Sequence, residues 1–214
     1  MDSSGIKVKL QRFLSMVTVL AGGALAASGA GYAHDAHQHA AAPASKAGDY
    51  VRSVRPYSIP DMTLVDQNAK PVRLREMLAA DEPVMINFIF TSCTAICPVM
   101  SSIFANVPPL LGADAGKLRM ISISIDPEND TPQQLAAYAG KFGAGPRWTF
   151  LTGSVENIAG VQRAFDTYRS DKMSHEPLTL LRPAPGRPWV RIDGFASPQD
   201  LAREYRRVVS NGLD

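Results

Sequence analysis

The chain has 214 residues, enough for one domain of ordinary size with a tail. An apolar fraction of 45% and a charged fraction of 20% exclude a disordered or fibrous protein, and a net charge of +2 offers no surface for nucleic acid. A glycine-rich phosphate loop is absent as well.

Residues 1–33 begin with Lys7, Lys9 and Arg12, continue through the uncharged stretch FLSMVTVLAGGALAASGAGYA and end in Gly31-Tyr32-Ala33. A basic start, an apolar run and small residues at the end are the layout of an export signal cut near Ala33. An uncleaved anchor is the alternative, because the uncharged run is about long enough to cross a bilayer. Either reading places the bulk of the protein outside the cytoplasm, in the periplasm or exported. Residues 34–48, HDAHQHAAAPASKAG, are small, polar and unpatterned, as in a flexible tether. They carry His34, His37 and His39, which form either an auxiliary metal-gathering tract or a solvated tail.

Residues 49–214 follow the pattern of one domain of alternating strands and helices. DMTLVDQNAKPVRL predicts an opening hairpin turning at Asn68-Ala69. VMINFIF (84–90) is a near-continuous apolar run, the mark of a strand buried on both faces. A helix should begin near Cys97-Pro98, with proline at its first position, and run towards Leu111. A second buried strand is expected in KLRMISISID (117–126). DTPQQLAAYAGKF (130–142) is a helix with Thr131 as N-cap, Pro132 first and Gln134 completing a capping box. A short strand at 148–151, a helix over 154–165 capped by Ser154, two strands within 177–194 and a closing helix over 197–209 complete the order. The expected fold is α/β and thioredoxin-like: a central mixed sheet flanked by helices, with an N-terminal hairpin. Ligands of open α/β sheets sit beyond the carboxyl ends of the strands. Cys93, Cys97 and Asp126 all follow such ends.

The chain has only two cysteines, four residues apart in FTSCTAICPVM. On a helix they would share one face with Cα atoms about 6 Å apart, close enough for a disulfide or for a shared metal ion. A helix N-terminus favours thiolate over thiol. A purely structural bridge closing so small a loop would stabilise little. Three chemistries compete. Two thiolates and an imidazole suit Cu(I) and can retain Cu(II) or zinc, His175 being the one candidate outside the tail. Two thiols that cycle to a disulfide make an oxidoreductase. A lone thiolate at Cys97, with Thr94 three residues before it, could attack peroxide.

FTSCTAICPVM, then ISISIDPENDTPQQLAAYAGKFG, then His175 ahead of a strand together resemble the Sco/SenC family of copper-binding thioredoxin-like proteins over roughly residues 55–210. The resemblance implies that Cys93, Cys97 and His175 are copper ligands, that Asp126 is an acidic neighbour of the site, and that Asp130 and Thr131 cap the following helix. It also implies a copper chaperone, commonly membrane-tethered, that serves cytochrome c oxidase or reduces its cysteines. The segment EPLTLLRPAPGRPWVRIDGF lacks the acidic turn of the respiratory members, which leaves another copper-receiving periplasmic client open. Peroxiredoxins share the fold but place a proline ahead of the threonine, where this chain has Ile89 and Phe90 nearby. Thioredoxin-type enzymes separate their cysteines by two residues rather than three.

Overall fold

The computed structural model describes residues 50–210; the leader, the tether and its three histidines lie outside them. Eight strands form one sheet: β1 (Tyr50–Arg55), β2 (Thr63–Asp66), β3 (Pro71–Arg73), β4 (Val84–Ile89), β5 (Arg119–Ser124), β6 (Trp148–Thr152), β7 (Leu178–Arg182) and β8 (Trp189–Gly194). Their spatial order is β1-β8-β7-β4-β5-β6-β2-β3. β4, β5 and β6 run parallel at the centre, and every other pairing is antiparallel. The parallel trio turns the carboxyl ends of three strands to one edge, where the cysteines follow β4.

All six residues of β4 are buried, so its alternate side chains feed two cores. Met85 and Ile89 face helices α2 (Ile96–Ala105), α3 (Val107–Leu111), α4 (Pro132–Lys141) and α6 (Pro198–Ser210), meeting Met100, Phe104, Leu135 and Tyr205. Val84, Ile86 and Phe88 face α1 (Leu74–Met77) and α5 (Val155–Ala164), meeting Leu78, Ile158 and Phe165. The mixed sheet flanked by helices is therefore present.

Local chemistry explains most element boundaries. The hairpin turns at the expected place, with Ala69 at φ 61° and the Asp66 carboxylate accepting from the amides of Asn68 and Lys70 at 2.8 and 2.9 Å. Thr131 and Gln134 form the expected capping box at α4. Ser154 caps α5 by accepting from Asn157 N at 3.1 Å, and Ser197 caps α6 by accepting from Asp200 N at 3.1 Å.

Two expectations change. α2 starts at Ile96, which puts Pro98 at its third position rather than its first. The first four helical amides have no intrahelical acceptor, so a proline anywhere in that turn forfeits no helical bond. The helix also stops at Ala105, with Asn106 between it and α3. The stretch Ile96–Gly116 is apolar and long enough, by length and composition, to cross a membrane. It is broken at Asn106, however, and it buries Met100, Phe104, Val107 and Leu111 in the domain.

Candidate metal and redox site

Cys93 precedes α2. It sits two residues before the N-cap, Ala95, whose own side chain caps nothing. The sulfur of Cys93 takes that role: the amide of Cys97, second residue of the helix, donates to Cys93 Sγ at 3.4 Å. The two cysteines are therefore not stacked on one helical face. One sulfur lies over the open first turn and the other grows from inside it. Both are free thiols.

That placement splits their acidities. Burial works to raise the Cys93 thiol, but the amides of Cys97, Ala95 and Ile96 and the Cys97 thiol outweigh it, leaving Cys93 below the ordinary cysteine value. Cys97 is fully buried, and burial, followed by the neighbouring Cys93 sulfur and the charge of Asp130, pushes its thiol up to about 12. A main-chain hydrogen bond with Phe90, second only to burial in size, works the other way without overcoming it. One sulfur is half-exposed and activated; the other is held in reserve. Thr94, the partner needed by the peroxidase reading, is exposed.

The loop ahead of Cys93 is fixed by a residue given another task above. Asp130, wholly buried, accepts from the Thr91 amide at 3.1 Å, from Thr91 Oγ1 at 2.6 Å and from Ser124 Oγ at 2.6 Å. Asp130 therefore does not cap α4; Thr131 alone does. Its carboxylate instead ties the end of β5 to the turn carrying Cys93. Asp-Thr-Pro fits a helix start locally, but the donors of Thr91, 39 residues away, take the Asp130 carboxylate instead.

His175 is buried and ends a short 3-10 turn, Lys172–Ser174, leading into β7. Its Nε2 is 3.0 Å from the main-chain oxygen of Phe88 in β4. A carbonyl only accepts, so Nε2 carries the proton and Nδ1 keeps the lone pair. Burial lowers the His175 pKa below its ordinary 6.5 and outweighs the opposing Phe88 bond, so the ring stays neutral near pH 7. Histidines that ligate metals are characteristically oriented in this way, through the other ring N–H.

Asp126, also buried, is ion-paired to Lys172 at 2.5 Å and accepts from Asn129 Nδ2 at 2.9 Å. Lys172 also lies 5.6 Å from the centre of the Phe90 ring. The pair pins the turn that carries His175 to the ends of β4 and β5. A groove of about 400 Å³ runs beside it, lined by Asp126, Glu128, Val155, Ile158, Tyr168 and Lys172 among others.

The structure thus brings Cys93 and Cys97 together and sets Asp126 against the His175 turn. Among the described residues no group of three His, Cys, Asp or Glu side chains is gathered closely enough to hold a metal ion. Thr91, Ser124, Asp130 and Lys172 belong to the site's scaffold and were not singled out for that role by the sequence. The one sequence signal for such a partner is a serine inside an apolar strand, and Ser122 and Ser124 of β5 share it.

A family model described as SCO1/SenC matches residues 54–210. The chain is 35% identical over 107 residues to the SCO1 protein homolog of Bacillus subtilis (strain 168), covering 50% of this chain and 54% of that protein. It is 26% identical over 119 residues to Protein SenC of Rhodobacter capsulatus, covering 56% and 52%. The chain spans about half the length of these curated relatives. A copper-bound structure of Bradyrhizobium japonicum ScoI is similar at a TM-score of 0.59 and 30% identity, over 70% of this chain and 99% of that one. BsSco, in which a disulfide switch was identified and which is a member of the Sco family of cytochrome c oxidase assembly proteins, is similar at a TM-score of 0.62 and 26% identity, over 75% and 98%.

Proposed function

The chain belongs to the SCO1/SenC family, and we propose that it is a copper chaperone of the periplasm, holding copper as cargo through Cys93, Cys97 and His175 for delivery to a partner such as cytochrome c oxidase. The observation that carries this reading is the pair of free sulfurs within one turn, one of them receiving the amide of the other across 3.4 Å. Two soft sulfur donors and one neutral imidazole with an available Nδ1 lone pair fit Cu(I). Copper-bound Bradyrhizobium japonicum ScoI supports the choice of metal. Closing the third bond requires the turn at 172–174 to bring His175 towards the sulfurs, and the single imidazole permits release by ligand exchange. Asp126 tunes the site indirectly, through its hold on Lys172. An N-terminal signal or anchor and the tether histidines His34, His37 and His39 would deliver the domain to the compartment and gather copper loosely.

The test is a Cu(I) competition titration of the reduced protein against His175→Ala and a Cys93/Cys97 double serine variant. Tight one-to-one binding that needs all three side chains is expected. Binding that survives in the double serine variant would sink the proposal.

The unequal acidities of the two thiols favour a second reading, thiol-disulfide exchange with a partner. The Cys93 thiolate would attack a partner disulfide and expel one partner thiolate. Cys97, giving up its proton, would then attack Cys93 Sγ and release the second, leaving Cys93–Cys97 oxidised and the partner reduced.

A further inference from the structure

The far end of the sheet holds a buried charge with no carboxylate against it among the described residues. Arg182 ends β7 opposite Val84, the first residue of β4, whereas Cys93 lies beyond the last. Its side chain is only 3% exposed. One of its N–H groups donates to the Leu78 carbonyl, and the guanidinium lies 4.7 Å from the centre of the Trp189 ring. Nε is buried without a hydrogen-bond partner.

No carboxylate pairs with Arg182 among the described residues, although other arginines of the domain have one. Arg119 and Arg147 share Glu82, Arg191 holds Asp193, Arg52 holds Glu204 and Arg203 holds Asp200. Burial alone pulls the Arg182 guanidinium below its ordinary value, with no anion opposing it. A buried cation left without an anion is costly, and a structure normally retains one only where something compensates it.

Arg182 lines a pocket of about 300 Å³ between residues 56–59 and the β7–β8 turn. Ile59, Pro188 and Trp189 supply apolar wall, exposed Arg187 stands among the lining residues, and no acidic residue is found there. Tyr57 also lines the pocket; its Oη accepts from Arg191 at 3.0 Å, which leaves its own proton to donate.

We propose that this pocket binds a carboxylate carrying an apolar group, the carboxylate meeting Arg182 and Arg187 and the apolar part lying against Ile59, Pro188 and Trp189. The planar guanidinium fork matches a carboxylate in shape. The pocket's size sits at the lower bound of ligand sites, roughly 300–1,000 Å³, so the ligand is small. The carboxylate comes either from a free organic acid or from the C-terminus of a partner chain.

The test is an amide-resolved NMR titration at fixed ionic strength with N-acetylphenylalanine, its uncharged amide, inorganic phosphate, and a short peptide ending in phenylalanine with a free carboxylate. Saturable shifts confined to the amides of residues 57–59 and 182–189 are expected with N-acetylphenylalanine and not with its amide. Affinity should fall at least about tenfold in Arg182→Met. Arg187→Ala, at an exposed position, should weaken binding without altering the fold, and so tests the site even if Arg182→Met fails to fold. Tighter binding of the peptide than of the free acid assigns the ligand to a partner's terminus; equal binding assigns it to a free acid. The proposal is overturned by equal shifts with the uncharged amide, by tighter binding of phosphate, or by binding unchanged in Arg187→Ala.

Discussion

His175 Nε2 donates to the Phe88 carbonyl across 3.0 Å, and that one bond decides which nitrogen is left for a ligand. Nitrogen-15 NMR of the apo protein should therefore show the Nε2–H tautomer, and Cu(I) should shift Nδ1 while Nε2 remains protonated. An Nδ1–H tautomer in the apo protein would contradict the proposed ligand set.

The same burial sets a pH dependence of stability. The folded-state pKa of His175 lies below the ordinary 6.5, so between the two values the unfolded chain binds more protons. Its contribution is complete above about pH 6.5 and is lost as pH falls through the folded-state value. Denaturant midpoints of the metal-free protein should fall with pH over that window. His175→Gln should flatten that part of the profile.

The two thiols should differ sharply in reactivity. With Cys97 pushed up to about 12 and Cys93 lowered, iodoacetamide at pH 7 should alkylate Cys93 at least ~100-fold faster. Cys93→Ser should leave a protein nearly inert to the reagent. Peptide mapping of the labelled protein distinguishes this from equal labelling.

Asp130 offers a separate handle on that difference. Replacing it with alanine strands three donors, the Thr91 amide, Thr91 Oγ1 and Ser124 Oγ, which meet its carboxylate at 2.6 to 3.1 Å. A loss of about 2–4 kcal/mol in chemical denaturation is expected, from several buried groups left unpaired. Asp130→Asn removes the charge that helps raise Cys97, so the Cys97 thiol should become easier to ionise and to alkylate.

How legible was all this in the sequence? The hairpin at Asn68-Ala69, the capping box of Thr131 and Gln134 and the apolar β4 run are local signals, and each is present. β1 was not foreseen: YVRSVR leaves Val51 and Val54 exposed and pairs with β8, some 140 residues on, so no local periodicity marks it. Cys93 and Cys97 announced themselves by scarcity and spacing. What spacing could not reveal was that the helix begins between them, with Ala95 as its N-cap. The hold of Asp130 on Thr91 and of Lys172 on Asp126 depends on pairings 39 and 46 residues apart, which only the folded sheet creates.

Redox state should gate the metal. Oxidising Cys93 and Cys97 passes two electrons and two protons to the oxidant and forms one S–S bond, which consumes both soft donors. The positions suit this: the Cys97 amide already meets Cys93 Sγ at 3.4 Å, so the sulfurs lie on the same turn of chain. The oxidised protein should therefore take up no Cu(I) at this site in the competition titration, and adding a reductant should restore one equivalent. Copper bound with the same affinity before and after oxidation would mean that the sulfurs are not the ligands. The disulfide-exchange reading would then be the one left to explain the unequal thiols.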